Sequence, residues 1–458
     1  MKKINGILDG NLTKVIVKMT IPIVLGNMIQ TLYNLTDTFF VSKIGGTQVA
    51  AVTFIWPIVF LIISIGQGMS VAGVSIISKS IGEGKKEEVK ENIGQLFVIA
   101  TILGIAIAIL GFLFTDTILT SLGIDGELYE ESSKYMKIML LATPATFITL
   151  CQGAVRRSEG NTFRPMIVNL VSISANVILN PIFIFYLNMG ITGAAIATLI
   201  ARYGAMMFCL WELTLTNIGY KLYLDKLRFN KKKIKEILRI ALPATTSQAM
   251  TSIGFILLSI YVKNYGYAVL AAYGIGNRIH SVFFQVAQGV RNTLAVIVGQ
   301  NLGNNNKERI LEAFKKSMVL AVGTSILGAI IIQLFLKQFV TIFAKDPEVI
   351  LNAMNYMRLV SWTVIAWAVF QVVIGFFQGL GDTKKALNIN IFRLWAIRIP
   401  LVIVLYYLGI YNIIDYKEYS VWYSMFYSNV FTGLYSIYIY KTYLKNRFNY
   451  YFILVKTQ

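Results

Sequence analysis

Any chemistry in this chain has to be arranged around Asp37. Of the 22 acidic side chains it alone lies deep inside a long apolar stretch, whereas Glu159 and Glu212 fall near the ends of others. An acid at the centre of a membrane helix costs about 2.5–3.5 kcal/mol on insertion scales, so its presence argues for a use. The bland alternative is a salt bridge to an arginine within the membrane. The same stretch carries Asn27, Gln30 and Asn34, and the steps of three, four and three up to Asp37 put all four on one helical face. Other polar groups recur at helical spacing: Ser64 with Gln67, Gln248 with Ser252 and Ser259, and Ser281 with Gln285, Gln288 and Asn292. In lipid these side chains are costly, so they face an interior, either as hydrogen bonds between helices or as the lining of a wet cavity.

Depth adds more to the picture. Asp37 lies six residues from Lys43, or about 9 Å below one membrane surface at the rise of an α-helix. Asn180 is seven residues from the same surface in its own stretch, Asn176 is one turn deeper on that face, and Thr198 is seven residues into the next stretch. The four groups fall in one layer, where Pro181 cannot donate to the Val177 carbonyl and can free a backbone oxygen. A carboxylate, two amide oxygens and a hydroxyl form an oxygen-only set suited to a hard cation. Asp37, Asn176, Asn180 and Thr198 are therefore the candidate Na⁺ ligands, and protonation of Asp37 alone would make an H⁺ site. No other cofactor is expected. His280 is the single histidine and cannot make a zinc site, Cys151 and Cys209 read as buried free thiols, and Gly82-Glu83-Gly84-Lys85-Lys86 lacks the spacing of a phosphate loop. A membrane-embedded enzyme would need a nucleophile and base or a metal cluster at one depth, and the sequence shows neither, so the chain reads as a non-enzyme. A single acid forms no ring of the kind that lines a channel.

The elements that position these residues are set by composition. The chain has 458 residues, 56% hydrophobic and 14% charged, with a mean hydropathy of +0.64, against roughly 45–50% apolar and 25% charged in soluble domains. That excludes a soluble enzyme and a disordered protein. Twelve stretches are long and apolar enough to cross a bilayer, at 15–41, 49–77, 93–114, 136–155, 166–187, 191–215, 237–262, 268–299, 315–335, 354–378, 388–408 and 420–442. Lys2 and Lys3 precede the first, but no small-residue cleavage site follows it, so a cleaved signal peptide is not expected. With loops taken together with their flanking span ends, 30 of the 42 Lys and Arg lie on the side holding both termini and seven on the other. The positive-inside rule then places both termini in the cytoplasm of a multi-pass cell-membrane protein. The formal charge of +20 is accounted for by these loops beside a bilayer, without nucleic acid.

The chain also repeats. An offset of 221 residues relates Pro22 to Pro243, Gly45 to Gly266, Ala50 to Ala271, Gln67 to Gln288, Gly82 to Gly303, Glu87 to Glu308, Tyr135 to Tyr356, Gly160 to Gly381 and Asn169 to Asn390. Six spans per half imply an all-α integral membrane protein of twelve transmembrane helices in two parallel-repeat six-helix bundles, with a cleft between them. The bundles are expected at 1–215 and 237–458, joined by a basic linker at 216–236 that reads as a solvated connector. Asn27, Gln30, Asn34, Gln67, Gln248, Gln285 and Gln288 are candidates to line the cavity, because their polar stripes recur at equivalent places in both halves. Five arginines (Arg202, Arg278, Arg291, Arg358 and Arg398) lie within or at the edges of spans, and Arg202 and Arg398, near mid-depth, join the cavity candidates. The offset sends Asp37 to Leu258, so the ion chemistry is confined to the first bundle.

The run from Ile21-Pro22 through Asp37-Thr38 to Gly45, then Gln67-Gly68 and Gly82, resembles the multidrug and toxic compound extrusion (MATE) family. The doubled six-span layout and Gly379-Leu380-Gly381-Asp382-Thr383 add to that resemblance, which covers nearly the whole chain. It implies a secondary antiporter that exports amphipathic, often cationic, compounds in exchange for Na⁺ or H⁺ by alternating access. Asp37 would be the coupling acid, with Asn176, Asn180 and Thr198 as its neighbours. Some members of the family carry an acid where Asn180 stands, and others an acidic pair in spans seven and ten. Here those spans read Gln248-Ala249-Met250-Thr251 and Ala366-Trp367-Ala368, so no second ion site is expected in the C-terminal bundle. The competing reading is a flippase for a lipid-linked or other anionic substrate, which the arginines would suit. The expected partners are a small-molecule substrate and the lipid bilayer, with no nucleic acid, and the chain is expected to be a monomer.

Overall fold

The computed structural model describes residues 6–410 and 419–455, with the side chains of 34, 35, 410 and 447–455 outside that description. All regular structure among the described residues is helical, as hydrocarbon requires of a backbone whose amides have no water to bond. In the first half the helices are α1 (Leu12–Ser42), α2 (Gly46–Gly82), α3 (Lys86–Ser121), α4 (Gly126–Leu141), α5 (Thr143–Ser158), α6 (Phe163–Pro181) and α7 (Gly190–Leu215). The second half has α8 (Lys231–Lys263), α9 (Tyr267–Gly303), α10 (Lys307–Leu334), α11 (Leu336–Phe343), α12 (Pro347–Val360), α13 (Thr363–Gly379), α14 (Thr383–Ile391), α15 (Ile399–Ile410) and α16 (Tyr419–Val455). Wider π-turns continue α6 over Ile182–Tyr186 and join α14 to α15 over Phe392–Arg398.

Nine of these helical runs are long and apolar enough to span a membrane by themselves, and two bent pairs supply one more span each. The 37-residue α16 follows them as a further long helix, at the place of the twelfth predicted stretch. The helices overrun the stretches predicted from hydropathy, because charged ends continue the helix outside the lipid. The fourth span begins at Gly126 and bends by 43° between α4 and α5, and the tenth bends by 51° between α12 and α13. Hydropathy sees neither bend, since it averages composition along a window and carries no direction of the helix axis.

The 221-residue repeat has a physical basis in the helix ends. Gly160 and Gly381 both take positive φ (82° and 77°), and Asn161 N and Asp382 N each reach back to a carbonyl five residues earlier, at Arg156 and Phe377. The same closure recurs where Gly84 (φ 71°) corresponds to Asn305 (φ 54°), with Lys85 N bonded to Ser80 O and Asn306 N to Asn301 O. These are left-handed caps that satisfy the terminal carbonyls. Gly82 and Gly303 serve a different need: a Cβ on Gly82 would overlap the Gln300 carbonyl, and one on Gly303 the Lys79 carbonyl.

The chain divides into two compact units. Unit 1 comprises Met1–Ala249, Val296–Ile310 and Gly379–Gly381. In it α1 packs along α6, and α2 and α3 pack on α5 and α4 around Ala51, Ile55, Leu119, Tyr135 and Met139. The linker is partly pinned to α3: Gln95 accepts from Asn230 N at 2.9 Å, and Lys233 pairs with Glu88 at 2.7 Å. Unit 2 comprises Met250–Ala295, Leu311–Gln378 and Asp382–Gln458. Its core gathers Leu258, Val262, Tyr273, Tyr356 and Trp422, with the Tyr356 and Trp422 rings 4.5 Å apart.

Unit 1 also buries a charge cluster whose members sequence placed near span ends. Arg156, fully buried, reaches Glu212 Oε1 at 3.1 Å through Nε and both Glu159 oxygens at 3.1 Å through Nη1. Gln152 donates to Glu212 Oε2 at 2.8 Å and Tyr220 N to Glu159 Oε1 at 2.7 Å. Arg156→Ala leaves both carboxylates without their main counter-charge, and the expected loss is about 3–5 kcal/mol in denaturant unfolding of the detergent-solubilised protein. Burial pushes the Glu159 carboxyl up from 4.5 to about 7, against the pull of Arg156. A raised carboxylate stabilises the fold fully below its unfolded value and loses that contribution as pH rises through about 7. Glu159→Gln is therefore expected to flatten the fall in stability between pH 5 and pH 8, removing a slope of up to about 1.4 kcal/mol per pH unit. Denaturant midpoints of the two proteins measured across that range check it.

Candidate functional site

Three helices of unit 1 bring the sequence-predicted ion ligands together. Asp37 lies on α1, Asn176 and Asn180 lie one turn apart on α6, and Thr198 is on α7. Asn180 Nδ2 donates to Asp37 Oδ1 at 3.1 Å and to Asn176 Oδ1 at 3.0 Å. Asn176 Nδ2 in turn donates to Thr198 Oγ1 at 3.0 Å, and Tyr33 Oη lies 3.2 Å from the same hydroxyl. Asn176, Asn180 and Thr198 are all buried. Tyr33 is a member that sequence reading missed, although it lies one turn before Asp37.

The direction of these bonds matters. An ionised Asp37 only accepts, so Asn180 must present its amide hydrogens to it, and its own oxygen is turned away. Asn180 Oδ1 is buried and without a hydrogen-bond partner. A buried carbonyl oxygen in that state, next to a carboxylate, is the kind of ligand a hard cation uses. Among the described residues no cationic side chain reaches salt-bridge distance of Asp37, so the salt-bridge alternative fails. Arg202 spends Nη1 on Thr146 Oγ1 at 2.8 Å.

Of the cavity candidates, two are in direct contact in unit 1. Gln67 and Gln248 meet directly at 2.6 Å. Asn27 is half-buried and Gln30 exposed on α1, while Gln285 and Gln288 are half-buried on α9. The side chain of Asn34 lies outside the described residues.

Among the described residues of unit 2, no acid forms a salt bridge with the buried arginines. Arg398 is buried and donates to Ser428 Oγ at 2.8 Å and Asn429 Oδ1 at 2.7 Å, and Asn429 is itself held by Thr363 at 3.0 Å. Arg291 donates to Gln371 Oε1 at 2.9 Å. Arg393, which the charge count grouped with a cytoplasmic loop, is instead buried in the π-turn between α14 and α15, at 1% exposure. Its guanidinium lies 4.8 Å from the Trp367 ring centre and 5.3 Å from that of Phe370. The signal was present in sequence, since Arg393 falls inside the predicted span 388–408. His280 is buried against Phe284 and Tyr356, with neither ring nitrogen hydrogen-bonded.

Long apolar helices, a repeated six-span set and a buried polar cluster around Asp37 within one bundle define a multi-pass membrane protein of transporter type. The MatE family model matches residues 22–182 and again 243–404, two segments whose starts are 221 residues apart. The chain belongs to the MatE family, multidrug and toxic compound extrusion. Among curated relatives it is 25% identical over 395 residues to the probable multidrug resistance protein YoeA of Bacillus subtilis, covering 84% of this chain and 85% of that one. It is 26% identical over 421 residues to a FAD transporter of Shewanella oneidensis, covering 88% and 90%. In fold it matches a crystal structure of MATE in complex with MaL6 with a TM-score of 0.92 and 24% identity, over 97% of this chain and 99% of that chain.

Asn180→Leu removes the only hydrogen-bond donor to Asp37 among the described residues. We expect a stability loss of about 1–3 kcal/mol for the stranded carboxylate. If the cluster holds an ion, the variant also loses the difference in unfolding midpoint that the wild type shows between Na⁺ and choline buffers, or between pH 6 and pH 8.

Proposed function

We propose that this chain is a secondary active antiporter that exports amphipathic, often cationic, compounds in exchange for Na⁺ or H⁺ by alternating access. The observation that carries this reading is the convergence of Asp37, Asn176, Asn180 and Thr198 from three helices, with a buried oxygen left unbonded beside the carboxylate. Family membership and the resistance protein among its relatives support the substrate class. On this reading the cation enters from outside, occupies the Asp37 cluster and favours the conformation that releases the drug. A membrane potential contributes about 2.3 kcal/mol per charge per 100 mV to the exchange. The protein works as a monomer in the cell membrane with both termini cytoplasmic, and it needs a coupling ion rather than a bound cofactor.

A second reading, a flippase or exporter of anionic substrates, is favoured by the buried arginines of unit 2 and by the FAD transporter among the relatives. Efflux of a fluorescent organic cation from proteoliposomes, under a Na⁺ gradient alone and then a pH gradient alone, separates the two. Export under one gradient, abolished in Asp37→Asn while that variant stays folded, is the expected outcome and names the ion. Full export by Asp37→Asn would sink the mechanism, and no export under either gradient would favour the anionic reading.

A further inference from the structure

We propose that unit 2 contains a binding site for an organic anion, in which Arg393, braced on the Trp367 and Phe370 rings, receives a carboxylate, sulfonate or phosphate group. The inference rests on the reading of this chain as a transporter and assigns to its second bundle a ligand chemistry opposite to that of the first.

Three observations carry it. First, donors outnumber acceptors around Arg393. Its Nε and Nη1 are buried without a hydrogen-bond partner, and so is Nε1 of Trp367, the ring it lies against. Three unsatisfied donors on two touching side chains are complementary to an anionic group. Second, the counter-charge is missing. Among the described residues of unit 2 the acids are Glu312, Asp346, Glu348 and Asp382. All lie in the opening turns of α10, α12 and α14 or just before them, and Glu312 and Asp382 pair with Lys316 and Lys385. Among the described residues none forms a salt bridge with Arg291, Arg393 or Arg398. Third, the guanidinium is held in place without being neutralised. Aromatic faces cover its plane, and Arg398 nearby is fixed by a hydroxyl and an amide, both neutral. Positive charge is thus positioned in a buried interior with two of its donor nitrogens unbonded, the arrangement expected of a receptor for an anion. The stacked Phe284 and Trp367 rings, 4.4 Å apart, add an apolar wall suited to an amphipathic or aromatic ligand body.

The test uses the full-length protein in nanodiscs of zwitterionic lipid, titrated with 1-naphthoate and, in parallel, with neutral 1-naphthamide. The naphthoate is expected to bind saturably and raise the unfolding midpoint, while the amide, which partitions into lipid without a charge, does not. Arg393→Leu and Arg393→Gln are expected to weaken naphthoate binding at least tenfold, and Arg393→Lys by less. Without ligand, Arg393→Leu is expected to unfold at or above the wild-type midpoint, because a buried unpaired charge has been replaced by an apolar side chain. Should that variant fail to fold, the glutamine and lysine variants carry the test. Asp37→Asn is expected to keep naphthoate affinity, so failure of cation-coupled export and failure of this site are read separately. Stabilisation that appears only when phosphatidylglycerol is added, and is lost in the Arg393 variants, assigns the site to an anionic headgroup rather than a soluble anion. Equal responses to acid and amide, or undiminished affinity in a folded Arg393→Leu or Arg393→Gln, overturn the proposal.

Discussion

Water is absent from the hydrocarbon core of a bilayer, and everything in this structure answers to that. A backbone amide there has no partner except another backbone group, which leaves helices as the only regular structure for a chain of this composition. The same constraint then acts on side chains. Asn92 turns to Ser80, Gln67 to Gln248 and Asn429 to Thr363 because each polar atom must find another within the protein. Not every buried polar atom finds one, and among those left without a partner are Asn180 Oδ1 beside Asp37, and Nε and Nη1 of Arg393 with Nε1 of Trp367.

The repeat sharpens this contrast. Backbone features survive the 221-residue shift: the left-handed caps at Gly160 and Gly381 share a conformation and a hydrogen-bond pattern. Some polar positions survive it as well, Gln67 with Gln288 and Asn169 with Asn390, but the charged and amide groups of the two clusters do not. The shift turns Asp37, Asn176 and Asn180 into Leu258, Ile397 and Leu401, while Arg393 and Arg398 correspond to Ser172 and Val177. A duplicated scaffold thus carries an oxygen-rich cluster in one half and a donor-rich cluster in the other. Side chains at the cap positions are constrained by backbone geometry, which any working copy must keep. Interior polar positions are constrained only by what they bind.

Partner type divides the buried charges into two kinds. Arg156 is locked between two carboxylates and fully buried, so its charge is consumed in holding α5, α7 and the turn at Tyr220 together. Arg398 and Arg393 are equally buried but meet only hydroxyl, amide and ring faces. Asp37 accepts from an amide and, among the described residues, forms no salt bridge. Neutral partners orient a charge without cancelling it, and an oriented, uncancelled charge in low dielectric interacts strongly with whatever ion arrives.

Sequence by itself determined the helical class, the spans and the repeat, because partition into lipid depends on local composition and cap closure on a few adjacent residues. It also placed Asp37, Asn176, Asn180 and Thr198 in one layer, since rise per residue converts position into depth. Tertiary structure alone decided the rest. Asp37 and Asn180 are 143 residues apart, and only the packing of α1 on α6 shows that one donates to the other. Composition gives no rotational phase, so although Arg393 falls inside the predicted span 388–408, only packing shows that it turns onto Trp367 and Phe370. Nor could composition show that Glu159 and Glu212 share one buried arginine. Depth is written along a single helix, whereas pairing is a relation among several, fixed only when their faces meet.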